Sequence, residues 1–217
     1  MIALQGKYIE HKDLPISNLV FLLDVSGSMD SPDKLPLLKQ SFQLFTEQLG
    51  ENDKVSIVVY AGSSGVVLEG ARGDEKEKIL EALDRLQAGG STAGSEGIER
   101  AYEIAKKYYI PGGNNRVILA TDGDFNVGVS SEGELTRLIA DKRKEGIYLS
   151  VLGFGTRNLK DNKMEALADN GNGNYAYIDN LTEAKKVLVN EMGGTLLTIA
   201  KDVKIQVEFN PMKVKEY

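Results

Sequence analysis

Asp24-Val25-Ser26-Gly27-Ser28 stands directly behind the apolar run Asn18-Leu19-Val20-Phe21-Leu22-Leu23. The pattern reads as a buried strand that ends in a cluster of oxygen ligands. Two later segments carry matching chemistry, Gly89-Gly90-Ser91-Thr92 and Ala120-Thr121-Asp122-Gly123. Ser26, Ser28 and Thr92 offer neutral hydroxyl oxygens, while Asp24 and Asp122 offer charge. Gly27 lets the first loop turn tightly enough for both serines to face one point, and Gly89 and Gly90 do the same for the chain leading to Thr92. Such a set suits a hard cation. Mg²⁺ takes six oxygens at about 2.0–2.1 Å and keeps several waters. A dication ringed mostly by neutral hydroxyls stays electron-poor, so it favours an incoming anionic oxygen such as a carboxylate. Ligand number and cavity size favour Mg²⁺ or Mn²⁺ over Ca²⁺. Taken alone, Asp-x-Ser-x-Ser at a strand end would also serve to cap the next helix. The two further segments at suitable points of an α/β pattern favour the metal.

The elements that must position these residues follow from hydrophobic spacing. Leu19 to Leu23 is a first buried strand, and Leu35, Leu38, Phe42, Phe45 and Leu49 form the stripe of an amphipathic helix. Val55 to Ala61 is a strand, paired in a hairpin with Gly65 to Leu68 through Gly62-Ser63-Ser64. Asp74 is placed to cap a helix carrying Ile79, Leu80, Leu83 and Leu86. A further helix presents Ile98, Ala101, Ala105 and Tyr108. Arg116 to Thr121 and Ile147 to Leu152 are strands. Between them, Ser131 to Glu134 matches a capping box and opens a helix. Asn162 to Ala168 is a short helix, Asn174 to Ile178 a last core strand and Leu181 to Glu191 a final helix. Strands separated by helices predict an α/β fold: a doubly wound, mostly parallel sheet with helices on both faces. In such sheets ligands bind beyond the carboxyl ends of the strands, at a switch in strand order. Asp24 and Asp122 stand at strand ends and Thr92 at a helix start, so the three loops are expected to meet on one crest.

The three segments together resemble the metal-ion-dependent adhesion site (MIDAS) of the von Willebrand factor A (VWA) family, and the resemblance covers roughly residues 17 to 190. It implies that Ser26, Ser28 and Thr92 bind the metal directly. It implies that Asp24 holds the metal through a water, and Asp122 directly or through water depending on state. It further implies a protein-binding module, not an enzyme, whose metal accepts an Asp or Glu carboxylate from a partner protein. Asp30, Asp33, Asp124 and Asn126 lie near the expected crest, and Asp30, Phe125 and Asn126 are candidates for contact with that partner. The stretch from Ala200 to Pro211 is similar to the region after the VWA core in a group of bacterial cell-envelope VWA proteins. That similarity implies an extracytoplasmic, cell-envelope setting.

The ends read differently from the core. Val203, Ile205, Val207 and Phe209 alternate with polar residues, the pattern of a strand with one buried face. Met1 to Ile9 also reads as extended. The expected organisation is a lead-in over 1–16, the VWA domain over 17–192, and a β extension over 193–217 that begins a second module. The two ends are expected to pair into a small sheet, and the chain to be a piece of a longer protein.

Composition narrows the alternatives. The 217 residues are 41% hydrophobic, enough for a sizeable core, and carry a net charge of −6. No basic stretch is interleaved with aromatics, which argues against nucleic-acid binding. No apolar run approaches the roughly 18 residues that span a bilayer, so direct membrane insertion is not expected. Met1 to Lys12 lacks the long apolar segment of a signal peptide. Cysteine is absent, so a thiolate metal site or cysteine nucleophile is excluded. His11, the only histidine, lies in a polar lead-in and offers no catalytic triad. Gly153-Phe154-Gly155 lacks the third glycine of a dinucleotide fingerprint, Asn158 standing there, and reads as a crest loop bordering the metal site. The run Asp169 to Asn174 has glycines where a calcium loop needs oxygens and reads as a turn. Two alternatives stay open. One is a Mg²⁺-dependent phosphatase of the haloacid-dehalogenase kind, weakened because Ser26 stands where its acid/base Asp would be. The other is a metal-free structural VWA domain.

Overall fold

The computed structural model describes residues 15–61, 63–90, 94–123, 125, 132–155 and 161–190. Six strands form one sheet in the order β3-β2-β1-β4-β5-β6. They are β1 Ser17–Asp24, β2 Lys54–Tyr60, β3 Ser64–Arg72, β4 Asn114–Thr121, β5 Ile147–Phe154 and β6 Tyr175–Ile178. Every neighbouring pair is parallel except β2 with β3, which run antiparallel. The helices are α1 Leu35–Thr46, α2 Lys76–Asp84, α3 Gly94–Lys107, α4 Glu132–Lys144, α5 Asp161–Asn170 and α6 Leu181–Lys185. This is the expected doubly wound, mostly parallel α/β sheet.

The central strand explains the arrangement. Every residue of β1 from Asn18 to Asp24 is buried, because helices cover both faces. Leu19, Phe21 and Leu23 point into one core with α1, α2 and α6. There Phe21 meets Phe42 and Phe45 edge-on, with ring centroids 4.5 and 5.5 Å away. Val20 and Leu22 point into the other core, with residues of α3, α4 and α5. The period-two alternation of a strand thus divides one apolar run between two cores. From β1 the chain builds β2 and β3 on one side and β4, β5 and β6 on the other. The strand order therefore switches at β1 and β4, and the carboxyl ends of those two strands carry Asp24 and the residue before Asp122.

Several local expectations are corrected. Asp74 does not cap α2. Glu75 holds the cap position without a side-chain cap bond, and Asp74 pairs with Arg72 at 2.8 Å. The Glu75 carboxylate is taken up by the Arg72 backbone N–H, 2.7 Å away. β3 runs on to Arg72, well past Leu68, because an irregularity in its pairing with β2 absorbs the break in alternation. At that irregularity Gly70 takes φ +60, and its N–H donates to Ser56 Oγ at 2.9 Å. The last helix is not uniform: Leu181–Lys185 is α-helical and Lys186–Asn190 a wider π turn. Ala184, Val187 and Leu188 are all buried in the core shared with α1, a grouping that the wider turn accommodates. Asn180 caps this helix, its Oδ1 accepting from the Glu183 N–H at 2.9 Å.

In the run Asp169 to Asn174, Asp169 and Asn170 close α5 and Gly171–Asn172 make the expected turn towards β6. Gly173 packs so tightly that a Cβ would lie 1.8 Å from the Leu149 carbonyl oxygen. Among the described residues no helix is long and apolar enough to cross a membrane. The β extension expected from the two ends, His11 and the Ser131 end of the capping box lie outside the described residues.

Candidate metal centre

Asp24 is the last residue of β1 and is fully buried. Its Oδ1 accepts the Ser26 backbone N–H at 2.8 Å. This closes an Asx-type turn that reverses the chain and aims the next residues at the crest. Its Oδ2 accepts from the Tyr60 hydroxyl at 3.2 Å and from Thr121 Oγ1 at 3.3 Å. These partners come from the ends of β2 and β4, the two strands that flank β1. Asp24 is thus fixed from both sides by neutral donors. Burial is the main influence on its carboxyl and pushes it above the ordinary 3.8, opposed by the Ser26 bonds and assisted by Asp122. Burial pushes the Tyr60 phenol well up too, with Asp24 adding to it, so Tyr60 stays a proton donor.

The chain then enters a short 3₁₀ turn, Gly27–Asp30. Met29 is buried in the core and anchors this turn, while Ser28 and Asp30 face solvent. Ser26 Oγ and Ser28 Oγ lie 3.0 Å apart, so the two hydroxyls converge as their spacing predicted. The second loop is tied to the first through backbone bonds: Gly89 N–H donates to the Val25 carbonyl at 2.8 Å, and Gly27 N–H to the Gly90 carbonyl at 3.1 Å. Gly97, near the start of α3, lets that helix lie against Tyr60, where a Cβ would come within 2.8 Å of Tyr60 Cβ. Thr92 follows Gly90 by two residues and lies outside the described residues, as do Asp124 and Asn126.

Asp122 follows β4 and is 5% exposed. Gly123 next to it takes φ +96, a conformation that a side chain would strain. The Lys34 ammonium lies 2.8 Å from Asp122 Oδ2 and also donates to the Ser28 carbonyl at 2.8 Å. The stem of Lys34 runs past Gly155, where a Cβ would fall 3.1 Å from Lys34 Cε. The expected crest loop is corrected in part: Gly153 and Phe154 are the last residues of β5, with Phe154 in the core, and only Gly155 lies beside Lys34.

One expected contact residue is corrected. Phe125 is 2% exposed and stacks edge-on against Tyr60, with centroids 5.4 Å apart and rings at 88°. It belongs to the core beneath the crest and presents no surface to a partner. Asp30, by contrast, is exposed beside the serines.

The donor chemistry fits a hard divalent cation. A buried carboxylate fixed only by neutral donors, a second buried carboxylate and a converging hydroxyl pair supply oxygen alone. Among the described residues there is no cluster of three or more His, Cys, Asp or Glu. Three participants gave no usable signal or went unassigned in the sequence. Tyr60 is identifiable only through its register opposite Asp24. Thr121 stood within the quoted motif but without a role. Lys34 belongs to no motif in the sequence.

The mostly parallel sheet, with its strand switch at β1 and β4, makes this a doubly wound α/β domain. The chain belongs to the von Willebrand factor type A domain family, whose model matches residues 18–190. A second family model, that of the C-terminal region of the uncharacterized protein YfbK, matches residues 194–217. The uncharacterized protein YfbK of Escherichia coli K12 is 50% identical over 216 residues, covering 100% of this chain. The chain spans only 38% of that relative's length.

Among solved structures, the von Willebrand factor type A protein from Catenulispora acidiphila superposes with a TM-score of 0.71. It has 21% identity, and the match covers 84% of this chain and 43% of that one. An aerotolerance-related membrane protein from Bacteroides fragilis gives 0.60 at 23% identity, over 82% of this chain and 98% of that one. Proximal thread matrix protein 1 from the mussel byssus, in a form whose MIDAS motif is occupied by zinc, gives 0.64 at 21% identity. That match covers 84% of this chain and 46% of the other. At these identities the structural likeness carries the fold. VWA domains generally mediate protein–protein interactions as non-enzymatic modules, and they can bind a metal at such a motif.

Proposed function

We propose that this domain binds a protein partner through a divalent cation at the crest, held by Asp24, Ser26, Ser28, Thr92 and Asp122. The observation that carries the reading is the convergence of the Ser26 and Ser28 hydroxyls beside two buried carboxylates at adjoining strand ends. Bound there, Mg²⁺ or Mn²⁺ would supply an electron-poor coordination point for a carboxylate oxygen of the partner. The chain's own residues prepare that point. Tyr60, Thr121 and the Ser26 N–H hold the Asp24 carboxylate in one orientation, so little rotamer freedom is lost on binding. The backbone bonds between Gly27 and Gly90 and between Val25 and Gly89 keep the first two loops in register. Asp30, exposed in the turn that carries Ser28, and Asn126 are our candidates for partner contact.

The same reading makes residues 17–192 the binding domain and 193–217 the start of a further module, supported by the separate family matches on either side of residue 192. It places the full-length protein at the cell envelope, a setting consistent with the shared fold of the aerotolerance-related membrane protein from Bacteroides fragilis. Screening the 217-residue chain against a random peptide library tests the binding function. Asp- or Glu-containing peptides should be enriched in Mg²⁺, and the enrichment should vanish with chelator and in Asp24→Ala. Equal enrichment by the variant would contradict the reading.

A further inference from the structure

We infer that Lys34 is a built-in competitor of the divalent cation, setting how tightly this site holds its metal. The inference rests on the metal reading above and concerns a residue outside the expected ligand set.

Lys34 lies at the N-terminal boundary of α1, six residues beyond Ser28. Its ammonium bonds to Asp122 Oδ2 and to the Ser28 carbonyl, both at 2.8 Å. It therefore engages two of the five residues assigned to the metal. The pair is not a loose surface contact. The Asp122 side chain is only 3% exposed and that of Lys34 only 20%, so water screens the interaction weakly. The stem is guided into place. Gly155 at φ +111 leaves room beside Lys34 Cε and Cγ that a side chain would fill, at 3.1 and 3.3 Å. Lys34 thus reaches the crest along a path formed by the end of β5.

A carboxylate oxygen that donates its lone pairs to a metal cannot keep an ammonium at hydrogen-bond distance without bringing like charges together. At short range in a half-buried site, that repulsion is strong. Metal binding must therefore weaken or break the Lys34–Asp122 pair, and by reciprocity the pair must weaken metal binding. Lys34 stabilises the metal-free crest by neutralising Asp122, at the expense of metal affinity. The device would restrict loading to conditions in which the cation is abundant, or in which a partner carboxylate adds to the binding.

The test is Mn²⁺ titration by calorimetry into the 217-residue chain as wild type, Lys34→Met, Lys34→Gln and Lys34→Arg. Melting temperatures are measured alongside in metal-free buffer, and circular dichroism checks the fold. The two neutral variants should bind Mn²⁺ on the order of tenfold more tightly. Their metal-free melting temperatures should fall by about 2–4 °C. Lys34→Arg, which keeps the charge, should stay close to wild type in affinity. Unchanged or weaker Mn²⁺ binding by both neutral variants overturns the inference. If their melting temperature alone falls, Lys34 is a structural ion pair and no competitor. If neither wild type nor any variant binds Mn²⁺, the metal reading itself fails and this inference with it.

Discussion

The Tyr60 hydroxyl donates to Asp24 Oδ2 across 3.2 Å, between the last residues of two adjoining parallel strands, with both side chains at 0% exposure. The bond fixes the carboxylate from the β2 side, while Thr121 fixes it from the β4 side. Tyr60→Phe removes the first of these and leaves the ring packing in place. The expected cost is about 1–2 kcal/mol of stability, because a buried acceptor loses a donor. Mg²⁺ affinity should fall about tenfold, the usual size for loss of a group that orients a ligand. Chemical denaturation and calorimetry measure the two effects. A variant with unchanged affinity would remove Tyr60 from the site.

Asp24 has a pH signature. Its native carboxyl is raised above 3.8, chiefly by burial. A carboxyl raised in the folded state binds its proton more tightly there than in the unfolded chain. Its stabilising contribution is therefore fully present below 3.8 and is lost as pH rises through the native value. In metal-free buffer at about pH 7.5 the ionised Asp24 works against folding, so Asp24→Asn should melt higher than wild type. The gap should close as pH falls towards about 3.5. Thermal melts of both proteins across that range check the sign, and a variant less stable than wild type at neutral pH would refute it.

Phe125 is a packing residue beneath the crest. Phe125→Ala should cost about 3–5 kcal/mol, the usual range for emptying a buried aromatic position. The loss should also loosen Tyr60, its edge-on neighbour, and so reduce metal affinity indirectly. Urea unfolding gives the stability term. A loss below about 1 kcal/mol would mean that the ring is not buried as described.

Gly173→Ala probes the turn into β6, an edge strand of the sheet. A Cβ there would lie 1.8 Å from the Leu149 carbonyl oxygen, and the obstacle is backbone that cannot step aside. The variant should lose on the order of 3 kcal/mol or fail to accumulate folded protein. Because the turn is remote in sequence from the ligand residues, whatever folds should keep wild-type Mn²⁺ affinity. Urea unfolding and calorimetry separate the two effects, and a fully stable variant would contradict the packing.

What the sequence made legible follows from where the physics is local. The apolar run Leu19 to Leu23 reads as a buried strand, and the Gly27 turn in its terminal Asp-x-Ser-x-Ser lets both serines face a common point. The structure has both. The misreadings lie where a distant element decides. Phe125 is a lone aromatic between polar residues and carries no periodicity, so only Tyr60, brought over from β2, reveals its burial. Lys34 sits in a charged stretch ahead of α1, and nothing local shows that Asp122 will lie beside it. Asp74 looked like a cap, but Arg72 takes it up as an ion-pair partner. The π turn after Lys185 depends on how Val187 and Leu188 settle against α1, which no helical pattern encodes.

The central claim is that the crest binds a divalent cation through Asp24 and the hydroxyl residues. Calorimetric titration of Mg²⁺ and Mn²⁺ into the wild-type chain and Asp24→Ala tests it most directly. The account predicts saturable one-site binding in wild type and none in the variant, with both proteins equally folded by circular dichroism. Binding of the same strength in Asp24→Ala, or its absence from wild type, would contradict the account.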